Sequence, residues 1–325
     1  MSEHPTFIEN LTMTIKKLPA LRQFLIKNFG KQILQFFAIK NNIRIRSSAD
    51  YYDISKNNET VRINKKHFVY GFDIINSFEY YFSAVEPIDS FGKKLVDYST
   101  PRYHDVVGYE RHPIFFPSFS EPIVTTNQYI DFSNLKSGCT AIDIGAYSGL
   151  TSLIFKDLVG ADGTVIAIDA DKLNMIALEK NIAAYKAVTS NKVEILYGAV
   201  WSHDKGLEFS NEGNMGSSAA DIVGSGRGTV TKVPSFKLSQ VASMFNLEKI
   251  DFIKCDIEGA ESVIFEDHDF FEKYHPRIIV ETHMVDGKET TNKCVSDLES
   301  YGYTCKRVVQ TGSTLPLIEC YPPES

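Results

Sequence analysis

From residue 138 to its end the chain alternates short apolar runs with longer runs of helical spacing, and this pattern restricts the fold more than any other feature. CTAIDI (139–144) reads as a strand and GLTSLIFKDLV (149–159) as a helix. TVIAIDA (164–170) is a strand, DKLNMIALEKNIAAYKA (171–187) a helix and KVEILYGAV (192–200) a strand. A stretch rich in Gly, Ser and Asn from Asn211 to Gly228 reads as a long loop, with the reach of a lid over a site, and Ser217 and Ser218 as candidate acceptor contacts. KLSQVASMF (237–245) follows as helix, KIDFIKCD (249–256) as strand and GAESVIFEDHDFFEKY (259–274) as one helix. RIIVETH (277–283) is strand, KETTNKCVSDLESYG (288–302) helix, and YTCKRVVQ (303–310) with STLPLIECY (313–321) a closing hairpin. Strands alternating with helices build a doubly wound, mostly parallel α/β sheet. The hairpin adds one antiparallel strand to it.

The N-terminal part has a different texture. Ile8, Leu11, Ile15, Leu18, Leu21 and Leu25 fall on one helical face. Pro19 suits a first turn and Gly30 a stop, so short helices are expected over 6–40. From Ile43 the runs IRIRSS, TVRINKKHFVYGF and SFEYYFSAVEP are aromatic and β-branched, and strands are expected. Residues 88–122 read as irregular, with aromatic and basic side chains at 98–116 for which two readings stand, acceptor contacts or, for most of them, packing. The expected division is a basic helical segment 1–46, a β-rich region 47–122 and an α/β domain 123–325, the first two forming an α+β extension.

Charge sharpens this division. The formal net charge is −7, yet residues 1–46 alone carry net +6 and the remainder −13. An acidic body argues against nucleic acid, whose binding depends on neutralising phosphates. No apolar run is long enough to span a bilayer, and no signal peptide is seen, so a cytoplasmic location is expected. For the basic segment 6–46 two readings stay open: packing on the body or on a second copy, or peripheral contact with the inner membrane face. In the second reading Lys16, Lys17, Arg22, Lys27 and Lys31 meet headgroups while Leu21, Phe24 and Leu25 enter lipid. Five cysteines without C-x-x-C spacing argue against a disulfide framework and a cysteine zinc site, and Cys139 and Cys255 read as core residues.

The chemistry-bearing residues gather where strands end. Asp143-Ile-Gly145-Ala146-Tyr147-Ser148-Gly149 joins a strand to a helix. Gly145 allows a sharp turn and close approach of a ligand, and the helix beyond offers unpaired N–H groups. Asp143 is expected to point into the same crevice. Asp169 ends the next strand, 20 residues beyond Gly149, the usual place for a carboxylate that holds ribose hydroxyls. Asp171 reads as a helix cap. Asp256-Ile-Glu258-Gly-Ala-Glu261 ends a buried strand, where ligands bind in open α/β sheets. Asp256 and Glu258 are site candidates, and Glu261 either joins them or complements a helix N-terminus. His283, in Glu281-Thr-His283, is a candidate general base.

DIGAYSG, the strand ending in Asp169, and IDFIKCDIEGAE followed by PRIIVETH resemble the FkbM-type methyltransferases, over roughly residues 123–325. The resemblance implies a Rossmann-like sheet, S-adenosyl-L-methionine (SAM) as methyl donor, and O-methylation of a hydroxyl on a sugar, glycan, lipid-linked or secondary-metabolite acceptor. It implies that Asp143, Gly145, Ala146, Tyr147, Ser148 and Gly149 line the donor's amino-acid end. Asp169 and Ala170 would hold the ribose, Ala199 would lie near the adenine, and Asp256 and Glu258 would face the transfer site. Tyr147 stands where the family often has Asn, and Asp169-Ala170 where it often has Glu-Pro. Glu258 or His283 is the expected base, with Asp256 mainly holding the donor. No metal is expected, a divalent ion bridging Asp256 and Glu258 being the minor alternative. The rivals are an NAD(P)-dependent oxidoreductase, disfavoured because the turn is not G-x-G-x-x-G, and a catalytically silent binding protein. The first 122 residues resemble nothing that would name the acceptor.

Overall fold

The computed structural model describes residues 19–211, 213, 218–219, 229–285 and 287–324. By contacts the chain divides into two compact units, Met1–Ser83 with Pro87–Thr100 and Ala84–Glu86 with Pro101–Ser325. The boundary expected near residue 122 therefore lies inside the second unit. Strands β6 (Arg102–His104) and β7 (Ile114–Phe116) form an antiparallel pair there. β7 is fastened by Phe115, whose N–H donates to Asn181 Oδ1 at 2.8 Å and whose carbonyl accepts from Asn181 Nδ2 at 2.9 Å.

The first unit opens with helix α1 (Pro19–Ala38). A five-stranded sheet follows, from β1 (Arg44–Ser47), β2 (Tyr51–Lys56), β3 (Glu59–Asn64), β4 (Ile88–Ser90) and β5 (Lys93–Tyr98), in the order β1-β2-β3-β5-β4. Leu34, Ile45, Ile54, Val61, Ile63 and Ile74 are buried in its core. Three expectations are corrected here. Gly30 does not stop a helix: α1 runs through it, and a Cβ there would overlap the Tyr52 hydroxyl, so this glycine serves close packing. The aromatic runs near 70 and 78 are helices, α2 (Tyr70–Asn76) and α3 (Phe78–Phe82), not strands. Phe78 and Phe82 stack at 5.8 Å, an i,i+4 pairing that only a helix makes. Strands β4 to β7 occupy part of the stretch expected to be irregular. Of the basic segment, residues 1–18 lie outside the described residues; no described helix is long and apolar enough to cross a membrane.

The second unit is the α/β domain. Its strands are β8 (Thr140–Ile144), β9 (Thr164–Asp169), β10 (Glu194–Tyr197), β16 (Phe252–Cys255), β17 (Arg277–Glu281), β20 (Thr304–Val309) and β21 (Pro316–Tyr321). They form one sheet in the order β10-β9-β8-β16-β17-β21-β20. All pairs from β10 to β17 are parallel, and β21 lies antiparallel to both of its neighbours. The expected hairpin is thus present, with its antiparallel strand inserted before the edge. One face of the sheet buries Ile142, Ile144, Ile166, Ile168, Ile253 and Val280 in a shared core, the alternation expected of strands. Helices α4 (Ile123–Ser133), α5 (Leu150–Val159), α6 (Lys172–Thr189), α7 (Leu238–Met244) and α10 (Thr291–Ser300) accompany it. The single helix expected over 259–274 is instead α8 (Glu261–Ile264) and α9 (His268–Lys273), interrupted where Asp267 accepts from the Ser239 N–H at 2.7 Å.

Smaller strands decorate the domain: β11 (Ala199–Val200) with β15 (Ser235–Phe236), and β18 (Met284–Val285) with β19 (Lys288–Glu289). β12 (Leu207–Asn211) pairs with β13 (Ser218–Ala219) and β14 (Thr229–Val233), so part of the expected 211–228 loop is sheet. The remainder of that loop, Ser217 included, lies outside the described residues apart from Gly213. Cys139 and Cys255 are buried as expected; Cys305 and Cys320 face each other across β20 and β21 as free thiols.

Sequence order reverses between β8 and β16. From β8 the chain moves outward to β9 and β10, then returns to the other side of β8. In an open parallel sheet the loops diverge at such a point and leave a crevice at the strands' carboxyl ends. The two loops that flank it are Gly145–Gly149 and Asp256–Glu261.

Candidate active site

A cavity occupies this crevice. Of the residues expected at the donor, Gly145, Ala146, Tyr147, Ser148, Asp169, Ala170, Ala199 and Asp256 line it. Gly145 has φ +81°, and a Cβ there would overlap the Asp256 carbonyl, so the two loops touch at backbone level. Tyr147 also has positive φ, +51°. Its hydroxyl donates to Phe119 O at 2.9 Å and meets Ser118 Oγ at 3.0 Å, which compensates the backbone conformation. Gly149 (φ +86°) opens α5 and packs on Leu178, outside the cavity wall.

Asp169 ends β9 nearly buried, at 7% exposure. It accepts from the Tyr147 and Asp171 N–H groups, each at 2.8 Å, and from Asn174 Nδ2. Burial pushes its carboxyl up to about 7, although those donors favour the charged form. Asp171 caps α6 through Leu173 N at 2.7 Å, as expected, and its second oxygen takes the Gly213 N–H at 2.8 Å. Beyond Asp169 the wall turns apolar at Ala199, Val200, Trp201 and Phe209.

Asp143 departs from expectation. Its side chain is fully buried beneath the turn and does not line the cavity. One oxygen accepts from Ser152 Oγ at 2.5 Å, and the other lies 3.2 Å from Lys254 Nζ. Lys254, which the sequence reading passed over, reaches the cavity wall instead. Its ammonium donates to Gly145 O at 2.7 Å and stands 3.5 Å from Asp256 Oδ2. Burial alone would lower its pKa, but Asp143, Asp256 and Glu281 raise it above the ordinary value, so the lysine stays charged. A lysine inside the apolar run FIKC was the available signal, since a buried lysine must be paired.

The end of β17 completes the site. His283 Nδ1 lies 3.1 Å from Glu261 Oε1, and its Nε2 faces Asp256 Oδ1 at 3.6 Å and Glu258 Oε1 at 3.8 Å. Glu261 is a positioning residue: it also accepts from the His283 N–H at 3.0 Å, Thr290 Oγ1 at 2.6 Å and Gly259 N at 2.8 Å. Its burial opposes ionisation, but His283 and those donors outweigh this and hold its carboxyl below the usual value. Burial likewise disfavours charge on His283, yet Glu258 and Glu261 raise its pKa well above normal. The carboxylates around the ring thus favour its protonated form. Glu258 and His283, the two expected bases, stand 3.8 Å apart beside the cavity. Glu281, named only as part of a motif in the sequence, is held by the Tyr129 hydroxyl at 2.7 Å.

A mostly parallel seven-stranded sheet, with a glycine turn after β8 and a carboxylate at the end of β9, is the Rossmann-like architecture of class I methyltransferases. Residues 143–305 match the FkbM methyltransferase domain family, half of the chain, and the protein belongs to that family. Among solved structures it is similar to the FkbM methyltransferase of Methylobacillus flagellatus KT, with 15% identity, 60% of this chain and 50% of that chain covered, and a TM-score of 0.41. It is also similar to a precorrin-6Y C5,15-methyltransferase of Geobacter metallireducens GS-15 (14% identity, 61% and 87% covered, TM-score 0.36). Fibrillarin of Aeropyrum pernix, solved with natively bound SAM, matches at 10% identity, 86% and 98% covered, TM-score 0.38. No curated protein matches significantly.

The cavity residues fit the donor. A carboxylate is present for the ribose and an apolar wall for the adenine. Lys254 and Asp256 provide one charge of each sign for the amino-acid end, and the glycine at 145 leaves the turn open where a side chain would fill it.

Proposed function

We propose that the protein transfers a methyl group from SAM to a hydroxyl oxygen of a sugar, glycan, lipid-linked or secondary-metabolite acceptor. When bound, the donor's sulfonium supplies the activated methyl group. Asp169 accepts the ribose hydroxyls, and Ala199, Val200 and Trp201 enclose the adenine. Lys254 meets the donor's carboxylate and Asp256 its ammonium, with the backbone of 145–148 beneath. Transfer then needs an oxygen placed in line with the methyl group, a positioning task worth several powers of ten in rate. The acceptor hydroxyl must also lose its proton; Glu258 takes it, a contribution of about 10²–10⁴-fold. His283, held by Glu261 and facing Glu258, is the alternative base.

The observation that carries this reading is Asp256, which lines the donor cavity and also joins the Glu258–His283 cluster. The NAD(P)-dependent alternative lapses with membership of a methyltransferase family. Incubation with SAM and a panel of hydroxylated acceptors, following S-adenosylhomocysteine release and product mass, tests the proposal. A product 14 Da heavier on oxygen, lost about 10²-fold or more in Glu258→Gln, supports it. Methylation only at nitrogen or carbon, or no turnover with any acceptor by a protein that binds donor, contradicts it; the latter would favour a silent binding protein.

A further inference from the structure

We propose that Asp256, Glu281 and His283 form a binding site for a first-row divalent cation, beside the donor cavity. One ligand atom from each lies within 4.8 Å of the others. Metal–ligand bonds of about 2.1 Å place neighbouring ligands roughly 3–4 Å apart, so the three converge with little adjustment.

The separations around His283 point the same way. Nε2 is 3.6 Å from Asp256 and 3.8 Å from Glu258, too long for hydrogen bonds and wide enough for an ion between them. The outer contacts are those that orient metal ligands. Glu261 holds Nδ1, leaving Nε2 directed at the carboxylates, the arrangement in which a carboxylate fixes a ligating imidazole. Tyr129 fixes Glu281 through one oxygen at 2.7 Å, and Lys254 takes Asp256 Oδ2 while Oδ1 faces His283. Gln310, buried and hydrogen-bonded to Glu281, keeps its Oε1 without a partner among the described residues.

Two carboxylates and one imidazole suit Mn²⁺, Fe²⁺ or Zn²⁺ better than Mg²⁺. The ion would take the place of the Nε2 proton. Three protein ligands leave positions for water and an acceptor hydroxyl, whose acidity the ion would raise. That role rests on the methyltransferase reading; the binding itself does not.

The test uses the full chain after chelator treatment. Mn²⁺ is titrated by electron paramagnetic resonance and calorimetry, and S-adenosylhomocysteine is titrated separately on the same samples. One saturable Mn²⁺ site is expected. It should weaken at least 100-fold in His283→Ala and Glu281→Gln, and about 10–100-fold in Glu261→Gln, which removes only an orienting contact. Co²⁺ bound to wild type should give visible absorption bands. No saturable Mn²⁺ binding by wild type overturns the proposal, as does binding unchanged in both His283→Ala and Glu281→Gln. S-adenosylhomocysteine binding without Mn²⁺ binding would defeat this inference alone, whereas Mn²⁺ binding without it would uphold the site and defeat the methyltransferase reading.

Discussion

Lys254 and Asp143 are register partners on adjacent parallel strands, and their charged groups lie 3.2 Å apart, both buried. The ammonium also holds the Gly145 carbonyl at 2.7 Å. Strand pairing thus places a charge pair under the glycine turn and fixes the turn's height against β16. The same lysine continues to Asp256, so one side chain couples the buried pair to the cavity.

Removing one member of this pair should be costly. Lys254→Met leaves Asp143 buried and unpaired, and a loss of about 3–5 kcal/mol in unfolding free energy is expected from urea titrations. Adding Asp143→Asn to that variant should restore part of the loss, because the uncompensated charge is gone. A double variant as unstable as the sum of the two single variants would show that the residues do not act as a pair.

Asp169 gives a pH signature. Its folded pKa, about 7, lies above the ordinary 3.8, so the folded state binds the proton more tightly. Stability contributed by the protonated form is complete below the ordinary value and is lost as pH rises through about 7. Asp169→Asn should flatten this slope. Donor binding should run oppositely, tightening in wild type as pH rises through that range because ribose hydroxyls need the carboxylate. Calorimetry in buffers of different ionisation enthalpy should detect proton release on binding; its absence would count against the burial assigned to this group.

Gly145→Ala should impair the site more than the fold. A side chain at φ +81° is strained by about 1–2 kcal/mol, and the new Cβ would overlap the Asp256 carbonyl. Separation of the two loops should weaken S-adenosylhomocysteine binding by at least tenfold. Unaltered affinity would mean that the loops do not have to touch.

The exposed end of α1 and the turn that follows it carry the membrane proposal. Phe36 is 65% and Ile39 64% exposed, close to exposed Lys31 and Lys40. Anionic vesicles should pellet the protein at low salt and release it at high salt, and Phe36→Ser with Ile39→Ser should reduce pelleting. No pelleting under any salt condition would remove the membrane from consideration and leave this face to protein contacts.

The α/β domain was legible because each parallel strand is a short apolar run bounded by a helix signal. That Gly145, Asp169 and Asp256 would stand together at the crevice was legible because all three lie at the carboxyl ends of parallel strands. The sequence was least informative where tertiary contact decides. Asp143 looked like a cavity residue until its register with Lys254 was known, since alternation along a strand does not reveal what lies opposite. Gly30 resembled a helix stop because its reason, the approach of Tyr52, lies far along the chain. The aromatic runs of α2 and α3 read as strands because β propensity and helical i,i+4 packing draw on the same residue types. His283 was recognised but its surroundings were not, because they depend on Glu258 and Glu261 folding back around it.

The most direct test of the account is calorimetric titration of wild type and Asp169→Ala with S-adenosylhomocysteine. The account predicts one-to-one binding in the micromolar range, weakened at least 100-fold in the variant through loss of two charge-assisted hydrogen bonds at about 1.5–3 kcal/mol each. No binding by well-folded wild type, or equal affinity in the variant, would contradict the donor site on which the rest depends.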